Sequence, residues 1–204
     1  MPTLTMPSVR FPEVLPDGFA ATGTGETGEE LDRFAHTSTR LLLGTDGLTT
    51  PLLEAWVGSV VSVRRMSHRF VRACEAPVGA AELLEAGAEE ILLERRSVLA
   101  SSSGVDLSRN VVVARPGLSA AAEQCLTDPS APIGRMLQAA GTGRRRTIVE
   151  VGLHTWGGEP AAYKTYLLWH GEQPLATITE LFNPDIVPAT LRAPFATLAP
   201  AGRS

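Results

Sequence analysis

At 204 residues the chain is long enough to bury a core without disulfide or metal staples, and its length suits one domain. A net charge of −4 excludes the broad basic face of a general nucleic-acid binder, while leaving focused arginines for a small anion. No basic-then-apolar leader opens the sequence and no apolar run reaches the ~18–20 residues of a membrane-crossing helix, so a cytoplasmic protein is expected.

Residues 1–26 hold four prolines and a glycine-rich end without a sustained period, which predicts a flexible arm that packs, if at all, through Phe11, Leu15 and Phe19. Leu31, Phe34, Leu41, Leu42 and Leu43 predict one helix over 29–43, closed at Gly44. Thr49 or Thr50 then caps a short helix with Pro51 in its first turn. The β-branched run 60–66 reads as a strand and 79–86 as a short helix. Runs 90–100 and 107–114 read as two strands joined by the turn Ser101-Ser102-Ser103-Gly104. Short helices are expected over 119–126 and 133–140, and a strand over 147–151.

The last two strands flank His170-Gly171-Glu172-Gln173-Pro174, a hairpin signal. Alternation in the second arm puts Ala176, Ile178, Glu180 and Phe182 on one face. A carboxylate in line with Ile and Phe either turns to water at the strand end or, if buried, needs a partner or a task. From 185 to 204 the chain is a Pro/Ala-rich tail that either wraps onto the fold or dangles, which leaves 27–184 as the domain. Six strands in antiparallel-looking pairs favour an α+β fold over a doubly wound sheet.

Most site motifs fail for want of context. Gly23-Thr24-Gly25-Glu26-Thr27-Gly28 has glycine-finger spacing but follows no strand, and Gly141-Thr142-Gly143 reads as a turn. Cys74 and Cys125 stand alone without CxxC spacing. The four histidines show neither metal nor triad spacing, so no metal site is expected. The arginines say more. Adjacent strand residues point to opposite faces, so either one of Arg95 and Arg96 faces inward and needs an anion there, or both are surface arginines on an edge strand. Pro132-Ile133-Gly134 opens a helix and is either a plain helix start or a turn that offers backbone N–H groups to a carboxylate.

Five stretches in order resemble the chorismate lyase family, whose fold is shared with effector-binding (UTRA-like) domains of GntR-type repressors. They are Thr45-Asp46-Gly47-Leu48-Thr49 with Leu52-Leu53; Leu92 to Arg96 with Val112 to Leu118; Ala131 to Leu137; Ile148 to Gly152; and Gly171-Glu172-Gln173-Pro174 through Thr179-Glu180-Leu181-Phe182. The resemblance implies a six-stranded antiparallel sheet with short helices as flaps over a buried ligand site. It implies Glu180 and Arg95 as catalytic, with Arg96 in place of Arg95 if the register shifts by one. It also implies substrate contacts, mainly through the backbone, from Leu48 and Ile133, which Gly134 joins at the helix start, and an activity that releases 4-hydroxybenzoate and pyruvate from chorismate with no metal or cofactor. Some members carry an Arg-Arg pair where this chain offers only Lys164, which points to Lys164 as a substrate contact or to a changed anionic substrate. A sensor without chemistry is the other reading, and residues 1–43 show no helix-turn-helix to accompany it.

Overall fold

The β-branched runs pair into one antiparallel sheet of six strands in a computed structural model that describes residues 27–117, 120–128, 132–139, 141 and 145–192. The expected arm over 1–26, the glycine pattern through Glu26, Ser119, Ala131, Thr142 to Arg144 and the tail beyond 192 lie outside the described residues. The strands are β1 (Val61–Arg72), β2 (Ile91–Ser101), β3 (Asp106–Ala114), β4 (Arg146–Trp156), β5 (Glu159–His170) and β6 (Gln173–Phe182), in the order β1-β2-β3-β6-β5-β4. The last strand in sequence therefore lies in the middle, between β3 and β5. The fold is α+β, as the strand pairing predicted.

Among the described residues six α-helices complete it: α1 (Thr27–Asp32), α2 (Thr37–Gly44), α3 (Thr49–Val57), α4 (Ala80–Leu83), α5 (Ala120–Thr127) and α6 (Ile133–Ala139). One sheet face is covered at one end by α1 to α3, through Phe34, Leu42, Leu43 and Leu53 against Leu99, Leu107 and Phe182. At the other end α5 and α6 bring Cys125, Leu126 and Leu137 onto Leu93, Val112 and Ile178. The opposite face carries α4, with Ala80 and Leu84 over Leu92, Val111, Val113 and Leu167.

Several elements differ from expectation, each for a physical reason. The helix expected over 29–43 breaks at Phe34, because the backbone there pairs with 190–192. Ala35 N–H donates to Thr190 O at 2.9 Å, and Arg192 N–H to Arg33 O at 2.7 Å. Residues 185–192, expected as tail, thus fold back onto the helices and bury Val187. Strands β1 and β4 run past their expected ends because both are sheet edges. Segments such as Ser67-His68-Arg69 keep polar side chains on an edge strand, which dilutes the β signal. The final turn is shorter than expected: Gly171 takes φ +59, and Gln173-Pro174 already belongs to β6.

Candidate active site

Antiparallel register sets Ser97, Asn110, Glu180 and Lys164 directly opposite one another across β2, β3, β6 and β5. Opposed residues share a face, so this is a polar row under the helices, and all four side chains are buried. The next row is Arg95, Val112, Ile178 and Tyr166. Above the two rows lies a cavity between the sheet and the first turns of α3 and α6. Leu48, Thr49 and Thr50 close it on one side and Pro132, Ile133 and Gly134 on the other, with Arg146, Tyr166 and Glu180 among its lining. An ion pair between Arg135 of α6 and Glu54 of α3 bridges the two helices. Glu54 also accepts the Val61 N–H at 3.0 Å.

Glu180 is only 6% exposed, and donors surround it. The Thr49 hydroxyl donates to Oε2 at 2.6 Å, and the Tyr166 hydroxyl to Oε1 at 3.4 Å. Lys164 Nζ lies 3.7 Å from Oε2 and itself donates to the carbonyls of Leu42 at 3.0 Å and Thr45 at 3.3 Å. Burial lowers the Lys164 pKa, and the charge on Glu180 opposes that shift. Burial, reinforced by the Glu180 charge, pushes the Tyr166 phenol well above its ordinary value, so it stays a neutral donor. The Arg146 guanidinium sits 5.9 Å from the centre of the Tyr166 ring. The arrangement can take a proton at Glu180 and hold negative charge nearby.

Of the residues predicted from sequence, Glu180, Leu48, Ile133 and Gly134 meet around the cavity. Arg95 faces the same side, 1% exposed, and its Nη1 donates to Cys125 O of α5 at 3.2 Å. Burial lowers its pKa, with the charge of Asp128 acting against the shift. Arg96 points to the opposite face, where it joins Arg69 around the buried carboxylate of Glu94. It is therefore away from the cavity, and the Arg95/Arg96 ambiguity resolves to Arg95 as the inward residue. Lys164, expected at the substrate, lies behind Glu180 with its donors turned to protein carbonyls. Thr49 was expected as a helix cap; the N-cap is Leu48 without a side-chain bond, and the Thr49 hydroxyl serves Glu180 instead.

Sequence reasoning missed Thr49, Tyr166, Arg146, Ser97 and Asn110 as site residues. Ser97 and Tyr166 were within reach, since Arg95 and Ser97 alternate onto one face, as do Lys164 and Tyr166. The others depend on how helices and strand ends meet in space. Among the described residues no cluster of His, Cys, Asp and Glu is placed to hold a metal. None of their helices is long and apolar enough to cross a membrane.

Comparison with known proteins agrees with this architecture. PhnF from Mycobacterium smegmatis superposes with a TM-score of 0.54 at 14% identity, over 70% of this chain and 66% of that one. The chain thus spans just under two thirds of that protein's length. The effector domain of PhnF alone gives a TM-score of 0.50 at 14% identity, covering 68% of this chain and 90% of that domain. These likenesses show the fold, the chorismate lyase/UTRA-like one. No curated protein matches the sequence. A family model described as "Chorismate pyruvate-lyase Rv2949c-like" matches residues 42–189, from the end of α2 past β6. Because that match covers most of the chain and every strand of the sheet, the protein belongs to the chorismate pyruvate-lyase Rv2949c-like family.

Proposed function

We propose that the cavity cleaves chorismate to 4-hydroxybenzoate and pyruvate. The observation that carries this reading is Glu180: a carboxylate buried on a sheet face, held by Thr49 and Tyr166, lining a cavity that also holds an arginine. The reaction breaks one ring C–O bond, whose electrons leave with the enolpyruvyl group. Glu180 takes the proton from the neighbouring ring carbon, the ring becomes aromatic, and a proton added to the enolpyruvate gives pyruvate. Charge grows on the departing oxygen, and Arg95, one strand row from Glu180, supplies positive potential there. The backbone at Ile133 and Gly134 borders the space for the ring substituents. The substrate is a small anionic precursor of an aromatic acid, and neither a metal nor an organic cofactor enters these steps.

The test follows pyruvate release together with the absorbance of 4-hydroxybenzoate. Equal amounts of both products are expected from the wild type, and Glu180→Gln should lower kcat by on the order of 10²–10⁴-fold. Arg95→Ala should lower kcat/KM. Full turnover by Glu180→Gln would remove the proton-transfer role. Tight binding of 4-hydroxybenzoate without turnover would replace the lyase with a ligand-binding module. Products from another anionic ring substrate would move the activity to that substrate.

A further inference from the structure

We propose that Arg146 is the anion anchor of this cavity and holds a carboxylate of the ligand at the end away from Glu180. Three observations carry this. Arg146 lines the cavity, and its Nε is buried with no hydrogen-bond acceptor among the described residues. Other arginines spend themselves on the protein: Arg69 and Arg96 on Glu94, Arg115 on Glu90, Arg135 on Glu54. A guanidinium presents five donors in a fork that fits a carboxylate, so a half-buried one with an unmet donor marks the place of an anion.

The second observation is Gly134. A Cβ there would come within 3.0 Å of Leu48 Cδ2 and 3.7 Å of Arg146 Nη2, so the absent side chain keeps open the gap between Leu48 and the guanidinium. The third is placement. Arg146 pairs with Leu168, and Glu180 pairs with Lys164, four residues away along β5. At ~3.3 Å per residue that separates the two by about 13 Å along the strand before their side chains reach inward. A ligand with a hydroxyl at one end and a carboxylate at the other, spanning a six-membered ring, suits this polarity. The field of Arg146 is already felt in the site, since it opposes the upward shift of Tyr166.

This inference takes the cavity as the ligand site but needs no turnover, so its test is separate. Calorimetry compares 4-hydroxybenzoate with its neutral isostere 4-hydroxybenzamide. The wild type should bind the acid about tenfold or more tightly than the amide, the worth of a charged hydrogen-bond pair. Arg146→Gln should bring the ratio close to one, and Arg146→Lys should keep part of the preference as a point charge without the fork. A wild type indifferent to the exchange would overturn the anchor. So would an acid preference intact in a folded Arg146→Gln protein. Selective acid binding lost in that variant, in a protein that releases no pyruvate, would keep the anchor and remove the lyase. Pyruvate release unaffected by Arg146→Gln, with the acid preference intact, would do the reverse.

Discussion

Lys164 is 1% exposed, yet it carries a charge-bearing amine among two carbonyls and one carboxylate. By bonding Leu42 O and Thr45 O it ties the last turn of α2 and the segment leading to Thr49 onto the strand that faces Glu180. Lys164→Met would leave those carbonyls and the Glu180 charge buried without their partner. We expect a loss of about 3 kcal/mol in urea unfolding at unchanged slope, since breaking a buried pair from one side costs more than the pair is worth. An unchanged midpoint would show that water replaces the amine without penalty. None of this positioning role is visible in the residue string. There Lys164 is the cation of a strand, and nothing says that helix carbonyls will come to meet it. Arg95 and Arg96 are nearer to legible: alternation puts them on opposite faces, but only the interior place of β2 and its register show that Arg95 is buried on the cavity side. Arg146 stands third in a run of three arginines whose order carries no orientation until β4 is placed.

Elements were legible where they are buried and obscured where they border water. Strands β2, β3 and β6, all interior, start and end within a residue or two of expectation, while β5 begins four residues before the expected Tyr163, at the exposed Glu159 and Pro160. Edge strands β1 and β4 were recognised by their apolar halves only, because period-2 patterning needs a buried face to impose it. One contact between β4 and β5 has a measurable worth. The Tyr163 ring lies over Gly152, where a Cβ would meet Cε1 and Oη at 3.0 Å, and the Tyr163 hydroxyl donates to Glu150 Oε1 at 2.8 Å. Gly152→Ala must push the ring away from its bond, so a stability loss of about 1–3 kcal/mol is expected. Wild-type stability in Gly152→Ala would mean that the ring swings aside freely.

At the scale of the whole molecule, the chain has only two tyrosines, Tyr163 and Tyr166, and both lie within the sheet at low exposure. Burial holds both phenols above their ordinary range, aided at Tyr163 by its bond to Glu150 and the charge there. In the unfolded chain they ionise near pH ~10. Above that pH the unfolded state releases protons that the folded state keeps, so stability falls as pH rises. Phenolate absorbance should therefore stay flat past pH ~10 and then rise in one step that coincides with loss of circular dichroism. A gradual rise in a protein that keeps its circular dichroism would contradict the burial of these two rings. The central position of β6 bears on assembly as well as on form. Strands β1 to β3 can pair as they leave the ribosome, but β3 then waits with an open edge until β6 follows β4 and β5. Thr49 and Glu180, 131 residues apart, meet only after β6 is inserted. The candidate site is therefore incomplete until β6 is inserted, and the waiting β3 edge is where a stalled chain would join its neighbours.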